Sequence, residues 1–129
     1  MKYYFNKTLT GKTFEEAIQI TTEALKQEGF GIVTEIDMQA TFKKKLDKDI
    51  GKYVILGACN PSYAYRSVMA EDKIGLFLPC NVIVQGKENG AVEVSAVDPI
   101  ASMSAVQNEA LGSLATEVRE KMKRAIEQL

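Results

Sequence analysis

The stretch YVILGACNPSYAYRSV, residues 53–68, joins an apolar run to a cysteine and an Asn-Pro pair. Its first residues are apolar at successive positions, so both faces of a strand there would be buried, which predicts a central strand. Asn60 then offers an N-cap, and Pro61 suits the first position of a helix. A short helix is therefore predicted to continue to about Ala70. Cys59 lies where this strand ends and this helix begins.

Upstream of this stretch, the pattern predicts a strand over residues 2–9 and then a helix. Thr13 and Glu16 have the spacing of a capping box, and Gly29 suits the left-handed position that ends many helices. Residues 30–37 indicate a second strand, followed by a short helical segment. The apolar side chains expected together on one side of that strand are Phe30, Ile32 and Ile36.

Downstream, residues 73–85 (KIGLFLPCNVIVQ) show the cleanest period-two alternation in the chain. The side chains expected on one face are Ile74, Leu76, Leu78, Cys80, Val82 and Val84. Pro79 cannot donate to a ladder, which predicts a bulge or an unpaired edge at that point. A turn at residues 86–90 leads into AVEVSAV, which completes a hairpin. An irregular connector at residues 98–107 then precedes a long amphipathic helix that Asn108 can cap.

This order of elements predicts the α+β class. We expect a mainly antiparallel sheet of about five strands, packed against two main helices and carrying short helical insertions. Residues 1–129 are expected to form one domain. The second face of the sheet would be apolar, with the side chains Tyr53, Ile55, Phe77 and Ile83. A second copy of the chain is the simplest cover for such a face, so we expect a homodimer.

Charge and cysteine usage argue against several classes of function. The chain has 16 Lys and Arg against 17 Asp and Glu, which gives no field to gather nucleic acid or an anionic membrane. No run approaches the ~18 apolar residues of a membrane span, and the N-terminus lacks the apolar block of a signal peptide. We therefore expect a cytoplasmic protein whose two cysteines are free thiols.

Histidine is absent from the sequence. Ser-His-Asp and Cys-His catalysis cannot be assembled without it, and neither can a two-histidine metal site. We assign no catalytic residue, no metal site and no cofactor, and we do not expect a conventional hydrolase or dehydrogenase. Any enzyme activity would have to use carboxylates, lysine, arginine, tyrosine or a bare thiolate.

The corner after Cys59 is the candidate site for a small ligand, possibly an anion. A helix start concentrates unpaired N–H groups and partial positive charge, so Asn60 and the amides of Ser62 and Tyr63 are suited to bind the polar end of a ligand. Arg66, one turn on, is placed to neutralise a carboxylate or phosphate. If Pro79 forces a bulge, further side chains would join the site. These further candidates are Cys80, Asn81 and Asp98.

Two other interpretations stay open. In the first, the motif is packing chemistry in a structural or interaction protein without a ligand site, where the asparagines satisfy backbone groups. In the second, Cys59 is a thiolate of low pKa at a helix start, used with Cys80 in redox sensing, sulfur transfer or soft-metal binding. A free cysteine is also often no more than a small buried hydrophobe.

The segments YVILGACNP (53–61), GLFLPCNVIV (75–84) and VSAVDP (94–99) resemble the domain of unknown function 302 family of small bacterial and archaeal proteins. The resemblance implies a TATA-binding-protein-like β-α-β(4)-α fold and a dimer. It implies no activity, and a fold shared with a DNA binder is no argument for DNA binding. The motif positions are Cys59, Asn60, Pro61, Pro79, Cys80, Asn81, Asp98 and Pro99.

Overall fold

A computed structural model, which describes residues 2–129, contains one five-stranded antiparallel sheet with its two long helices on the same face. The strands are β1 (Tyr4–Leu9), β2 (Gly31–Asp37), β3 (Tyr53–Cys59), β4 (Cys80–Gly86) and β5 (Val92–Val97). The helices are α1 (Phe14–Gln27), α2 (Met38–Leu46), α3 (Pro61–Ala70), α4 (Pro99–Ser102) and α5 (Glu109–Glu127). The sheet order is β1-β5-β4-β3-β2, which confirms the α+β prediction and places β3 inside the sheet.

The predicted caps fix the ends of the long helices. The Thr13 N–H donates to Glu16 Oε1 over 2.8 Å, and the Glu16 N–H donates to Thr13 Oγ1 over 3.0 Å, which completes the capping box of α1. Gly29 has φ +88°, the left-handed conformation expected after a helix. At the start of α5, the side chain of Asn108 accepts a 3.0 Å bond from the Ala110 N–H.

The core lies between the sheet and the pair α1 and α5. Alternate residues of the three inner strands point into it, as the period of two requires. These buried strand residues are Val54, Leu56, Ala58, Cys80, Val82, Val84, Val92, Val94 and Ala96. The helices contribute Ala17, Leu25, Met122, Ala125 and Ile126. The predicted hairpin of β4 and β5 is confirmed, with Val84 opposite Val94.

The prediction that Ile36 lies on the same side of β2 as Phe30 and Ile32 is wrong. The register of β2 against β3 shifts between Ile32 and Thr34, so the extra residue Val33 is left unpaired. One inserted residue exchanges the two faces of every later position in a strand. Ile32 therefore packs on the core, whereas Ile36 lies on the other face of the sheet with 45% of its surface exposed.

The alternation before Pro79 does not form a strand. Ile74–Phe77 is a 3₁₀ turn, in which the Leu76 N–H donates to the Lys73 carbonyl over 3.1 Å, and β4 begins only at Cys80. Leu76 is 83% exposed, and Phe77 lies outside the sheet, so neither joins the face predicted for it. Proline has no N–H for a ladder, and the chain forms local bonds up to that point instead.

The connector at residues 98–107 also contains more structure than expected. Asp98 accepts a 3.0 Å bond from the Ile100 N–H, and Pro99 takes the first position of α4. Both are ordinary helix-start residues. In the part of the chain that the structure describes, no helix combines the length and the apolar character needed to cross a bilayer.

Candidate functional site

Two neighbouring strands bring the cysteines to one corner of the molecule. Ala58 pairs with Cys80 across β3 and β4, so Cys59 is one residue away from that pair. Cys59 and Cys80 both line a small pocket of about 30 Å³. A cavity of that size has room for about one or two water molecules, or a single ion.

The walls of the pocket come from five separate parts of the chain, one of which is Phe30 before β2. Besides the two cysteines, they include Tyr63 of α3, Pro79 before β4, Met103 after α4, and Leu114 and Val118 of α5. Across residues 2–129, no charged side chain contributes to this lining. The pocket is therefore uncharged and mostly apolar, with Asn60, Tyr63 and Ser67 as polar residues and the two cysteines as the most reactive ones.

The two thiols differ in burial. Cys59 is half-buried and Cys80 is buried, with 7% of its surface exposed, and both are free. Burial, and to a lesser extent the negative charge of a Cys59 thiolate, raises the pKa of Cys80 from the ordinary 9.0 to about 11. Cys80 is therefore a neutral thiol at physiological pH, and a poor nucleophile on its own.

In a Cys59→Ser variant, we expect iodoacetamide at pH 8 to modify Cys80 at least about tenfold more slowly in the folded protein than in urea. The full rise in the pKa of Cys80 to about 11 corresponds to a factor of about a hundred, and the variant keeps its larger cause, burial, but loses the charge of the Cys59 thiolate. The same shift favours the folded state fully below the unfolded pKa of 9.0 and is lost as the pH rises from 9.0 to about 11. Intact-mass spectrometry measures the modification, and equal rates in both states would contradict the assignment.

Asn60 occupies the N-cap position of α3, but its side chain makes no capping hydrogen bond. It donates instead from Nδ2 to the Glu28 carbonyl over 3.4 Å, and it lies so close to Gly29 that an added Cβ there would be 2.9 Å from Nδ2. Asn60 therefore holds the predicted N-cap position, but its side chain does not make the hydrogen bond of an N-cap. Asn60 instead ties the end of α1 to the corner between β3 and α3.

The predicted anion-binding groups of α3 do not all face the pocket. Ser62 and Arg66 are exposed and do not line it. The Arg66 guanidinium lies 4.5 Å from the ring centre of Tyr63, and Lys121 Nζ lies 6.0 Å from the same ring. The Tyr63 hydroxyl donates to Glu117 Oε1 over 3.4 Å. The positive charges thus flank Tyr63 rather than entering the pocket.

Asn81 and Asp98 do not line the pocket either. Asn81 is exposed on the opposite face of the sheet from Cys80, because β4 is regular after Pro79. Asp98 is buried and accepts a 3.1 Å bond from Nε of Arg119. That ion pair fixes the end of β5 to the middle of α5, next to the pocket residue Pro99.

Comparisons with known proteins now identify the family. The sequence profile of the domain of unknown function DUF302 matches residues 5–129. This chain belongs to the DUF302 family. A crystal structure of the uncharacterized conserved protein DUF302 from Bacillus stearothermophilus has a TM-score of 0.90 and 25% sequence identity, and the match covers 99% of this chain and 98% of that chain. A search of curated proteins found no match to this chain.

Membership in DUF302 confirms the resemblance seen in the three sequence segments, and it brings no established biochemical function. It leaves the pocket to be interpreted from its own residues. Sequence reasoning missed Met103, Leu114 and Val118 as pocket residues. Their apolar character marks them only as core residues, and nothing in their spacing connects them to Cys59.

Ligands for most metals are missing from the corner. Over residues 2–129 as described, no group of three or more His, Cys, Asp or Glu side chains is placed to hold an ion. Zinc and the hard cations commonly need four or more nitrogen, sulfur or oxygen ligands. The most reactive groups at the corner are therefore the two thiols, in uncharged and mostly apolar surroundings.

Proposed function

We propose that this DUF302 protein binds a small, non-anionic ligand in the pocket behind Cys59. The observation that supports the proposal is that a half-buried and a buried cysteine line one small pocket, whose other residues are uncharged and, apart from Asn60, Tyr63 and Ser67, apolar. An anion would find no cation among the lining residues, because Arg66 lies over the ring of Tyr63. The proposal thus keeps the ligand-binding prediction and drops its anionic form.

The size of the pocket restricts the ligand. About 30 Å³ suits an ion or a molecule of a few atoms, and a larger ligand would have to displace a wall residue. Met103 is the wall residue best able to move, because methionine is unbranched and adapts to irregular spaces. Tyr63 is less free, since it is held by Glu117.

A fragment screen by ¹H–¹⁵N NMR tests the proposal. Small neutral fragments should shift the amide signals of Cys59, Tyr63 and Met103, whereas phosphate, sulfate and acetate should not. An Ala64→Leu variant should lose these shifts, because Ala64 also lines the pocket. Ala40→Leu, at an exposed position of α2, is the matched control and should keep them.

Two results would contradict the proposal. If phosphate or acetate alone moved these signals, the site would be an anion site. If no fragment moved them, the corner would be structural, which is the second candidate function. That candidate is supported by the packing of Asn60 against Gly29, because it uses a motif residue to join two elements.

We also propose that two copies of the chain associate through the face of the sheet away from α1 and α5. Tyr53, Ile55 and Ile83 remain partly exposed on this face, where Met38 and Phe42 of α2 border a hollow at one end. An apolar sheet face of this kind is commonly covered by a symmetric partner.

Light scattering after size exclusion tests the homodimer. We expect twice the chain mass for the wild type and the chain mass for Ile83→Lys, because a charge would be buried at the interface. Ile100→Lys, an exposed position on α4, is the control and should remain a dimer. A wild-type protein that stays monomeric at high concentration would refute the homodimer.

A further inference from the structure

A second pocket opens on the face of the sheet away from α1 and α5. Its volume is about 310 Å³, which is near the lower end for small-molecule sites. Within residues 2–129, no residue lines both this pocket and the one behind Cys59. The polar residues in its lining are Asn81, Gln85, Glu93 and Ser95, beside Tyr3 and Tyr4.

The strand register brings the polar groups together. Gln85 pairs with Glu93 across β4 and β5. Ser95 pairs with Ile83 on one side and with Asn6 of β1 on the other. Neighbouring strands lie about 4.8 Å apart, and alternate residues of one strand about 7 Å apart, so one small molecule can reach all of these side chains. Ile83 also belongs to the face proposed for the homodimer, so the pocket borders that interface.

Ser95 provides a buried donor in this pocket. It is only 8% exposed, although its side chain lies on the face away from α1 and α5. Its Oγ accepts a 2.8 Å hydrogen bond from Nδ2 of Asn6, which fixes the position of the hydroxyl group. A serine hydroxyl that accepts one bond still has its own proton to donate. A ligand oxygen in the pocket can accept that proton.

Tyr3 and Tyr4 supply an aromatic wall. Their ring centres are 5.0 Å apart and their planes meet at 68°, an edge-to-face pair that holds both rings in place. The Asp98 N–H donates to the Tyr3 carbonyl over 2.8 Å, which anchors the backbone beneath the first ring. Tyr3 is 64% exposed, so its ring has surface available to pack against the C–H groups of a ligand.

We propose that this pocket binds a neutral sugar ring. Each sugar hydroxyl both donates and accepts, and the lining offers amides, a carboxylate and a hydroxyl to match it. The C–H face of the ring would pack on Tyr3. Glu93 disfavours an anion, and within residues 2–129 no lysine or arginine lines the pocket. Lys2 Nζ lies 5.2 Å from the centre of the Tyr4 ring, outside the lining.

NMR titration of the ¹⁵N-labelled protein with glucose, galactose, mannose, maltose and cellobiose tests the inference. We expect at least one sugar to shift the amide signals of Tyr4, Ile83 and Ser95, equally at low and high salt because the ligand carries no charge. Tyr3→Leu should weaken binding about tenfold, because it removes the aromatic ring. Tyr65→Leu is the matched control, since Tyr65 is 66% exposed on α3 and does not line the pocket.

Ser95→Ala removes the buried donor and should also weaken binding about tenfold. Ser62→Ala, at an exposed position of α3, is its control. If Ser95→Ala fails to fold, Gln85→Ala and Tyr3→Leu carry the test. The inference is overturned if none of the sugars shifts these signals, or if sugar binding is unchanged in Tyr3→Leu. Putrescine or adenosine binding here in place of the sugars would also overturn it, in favour of a cation or a nucleobase.

Discussion

Gly57→Ala is expected to lower the free energy of unfolding by about 3 kcal/mol, the upper end of the usual cost of overpacking. Gly57 is buried in β3, and a Cβ there would overlap the hydroxyl oxygen of Thr34 and come within 2.7 Å of Cγ of Pro79. Contacts this close force the neighbours to move. The neighbours that must move are a residue of the adjacent strand β2 and the proline at the pocket corner.

Urea denaturation with a matched glycine measures this effect. Gly75→Ala adds the same methyl group at an exposed position with no heavy atom within 4 Å, so its unfolding free energy should change by less than about 0.5 kcal/mol. Adding Thr34→Ala to Gly57→Ala removes one of the two overlaps and should recover part of the loss. A Gly57→Ala variant as stable as the wild type would show that Pro79 does not pack over β3.

Arg119→Met is expected to cost about 2 kcal/mol of unfolding free energy. Asp98 is buried and its carboxylate is paired with Arg119 over 3.1 Å, so the variant would leave a buried charge without its partner. The arginine side chain is 30% exposed, which places the cost below that of a fully buried pair. The hydrogen bond to Asp98 is also the main reason that the pKa of Arg119 is raised.

A second ion pair serves as the control. Lys43 binds Asp47 over 2.9 Å, and both side chains are more than half exposed, so Lys43→Met should cost less than about 1 kcal/mol. Asp98→Asn keeps an oxygen for the Ile100 N–H and should cost less than Asp98→Ala, which loses the cap of α4 as well. Equal losses for Arg119→Met and Lys43→Met would contradict the importance of burial at Asp98.

Local signals were sufficient to predict most of the fold. The capping box of Thr13 and Glu16, the cap at Asn108 and the doubly apolar run before Cys59 each act over a few residues, and each is found in the structure. Such signals depend on the backbone groups and side chains of one element, so they can be recognised without knowing its neighbours.

The features that were predicted wrongly are those that depend on pairing between elements. Ile36 lies on the face opposite to the predicted one because one residue of β2 is unpaired. The segment before Pro79 forms a 3₁₀ turn although its sequence alternates as a strand would. In both cases the hydrophobic pattern is compatible with two backbones, and tertiary contacts choose between them.

The same difference between local signals and long-range pairing applies to the pocket. The sequence placed Cys59 at a strand end beside a helix start, which is where the structure has it. Its approach to Cys80 depends on the pairing of β3 with β4, and the position of Met103 depends on the fold of the connector. Arg66 and Asn81 were chosen for their chemistry, and helix and strand geometry turned both away from the pocket.

The account depends on Cys59 and Cys80 lining one pocket, and phenylarsine oxide measures directly whether one small molecule reaches both sulfur atoms. One arsenic atom bridges two thiols with release of one water, provided that both can reach it. We predict one bridged adduct per folded chain by intact mass, resistant to excess monothiol and absent from Cys59→Ser and Cys80→Ser. A folded wild-type protein that forms no such adduct, or holds arsenic equally well with one cysteine removed, would contradict a common pocket.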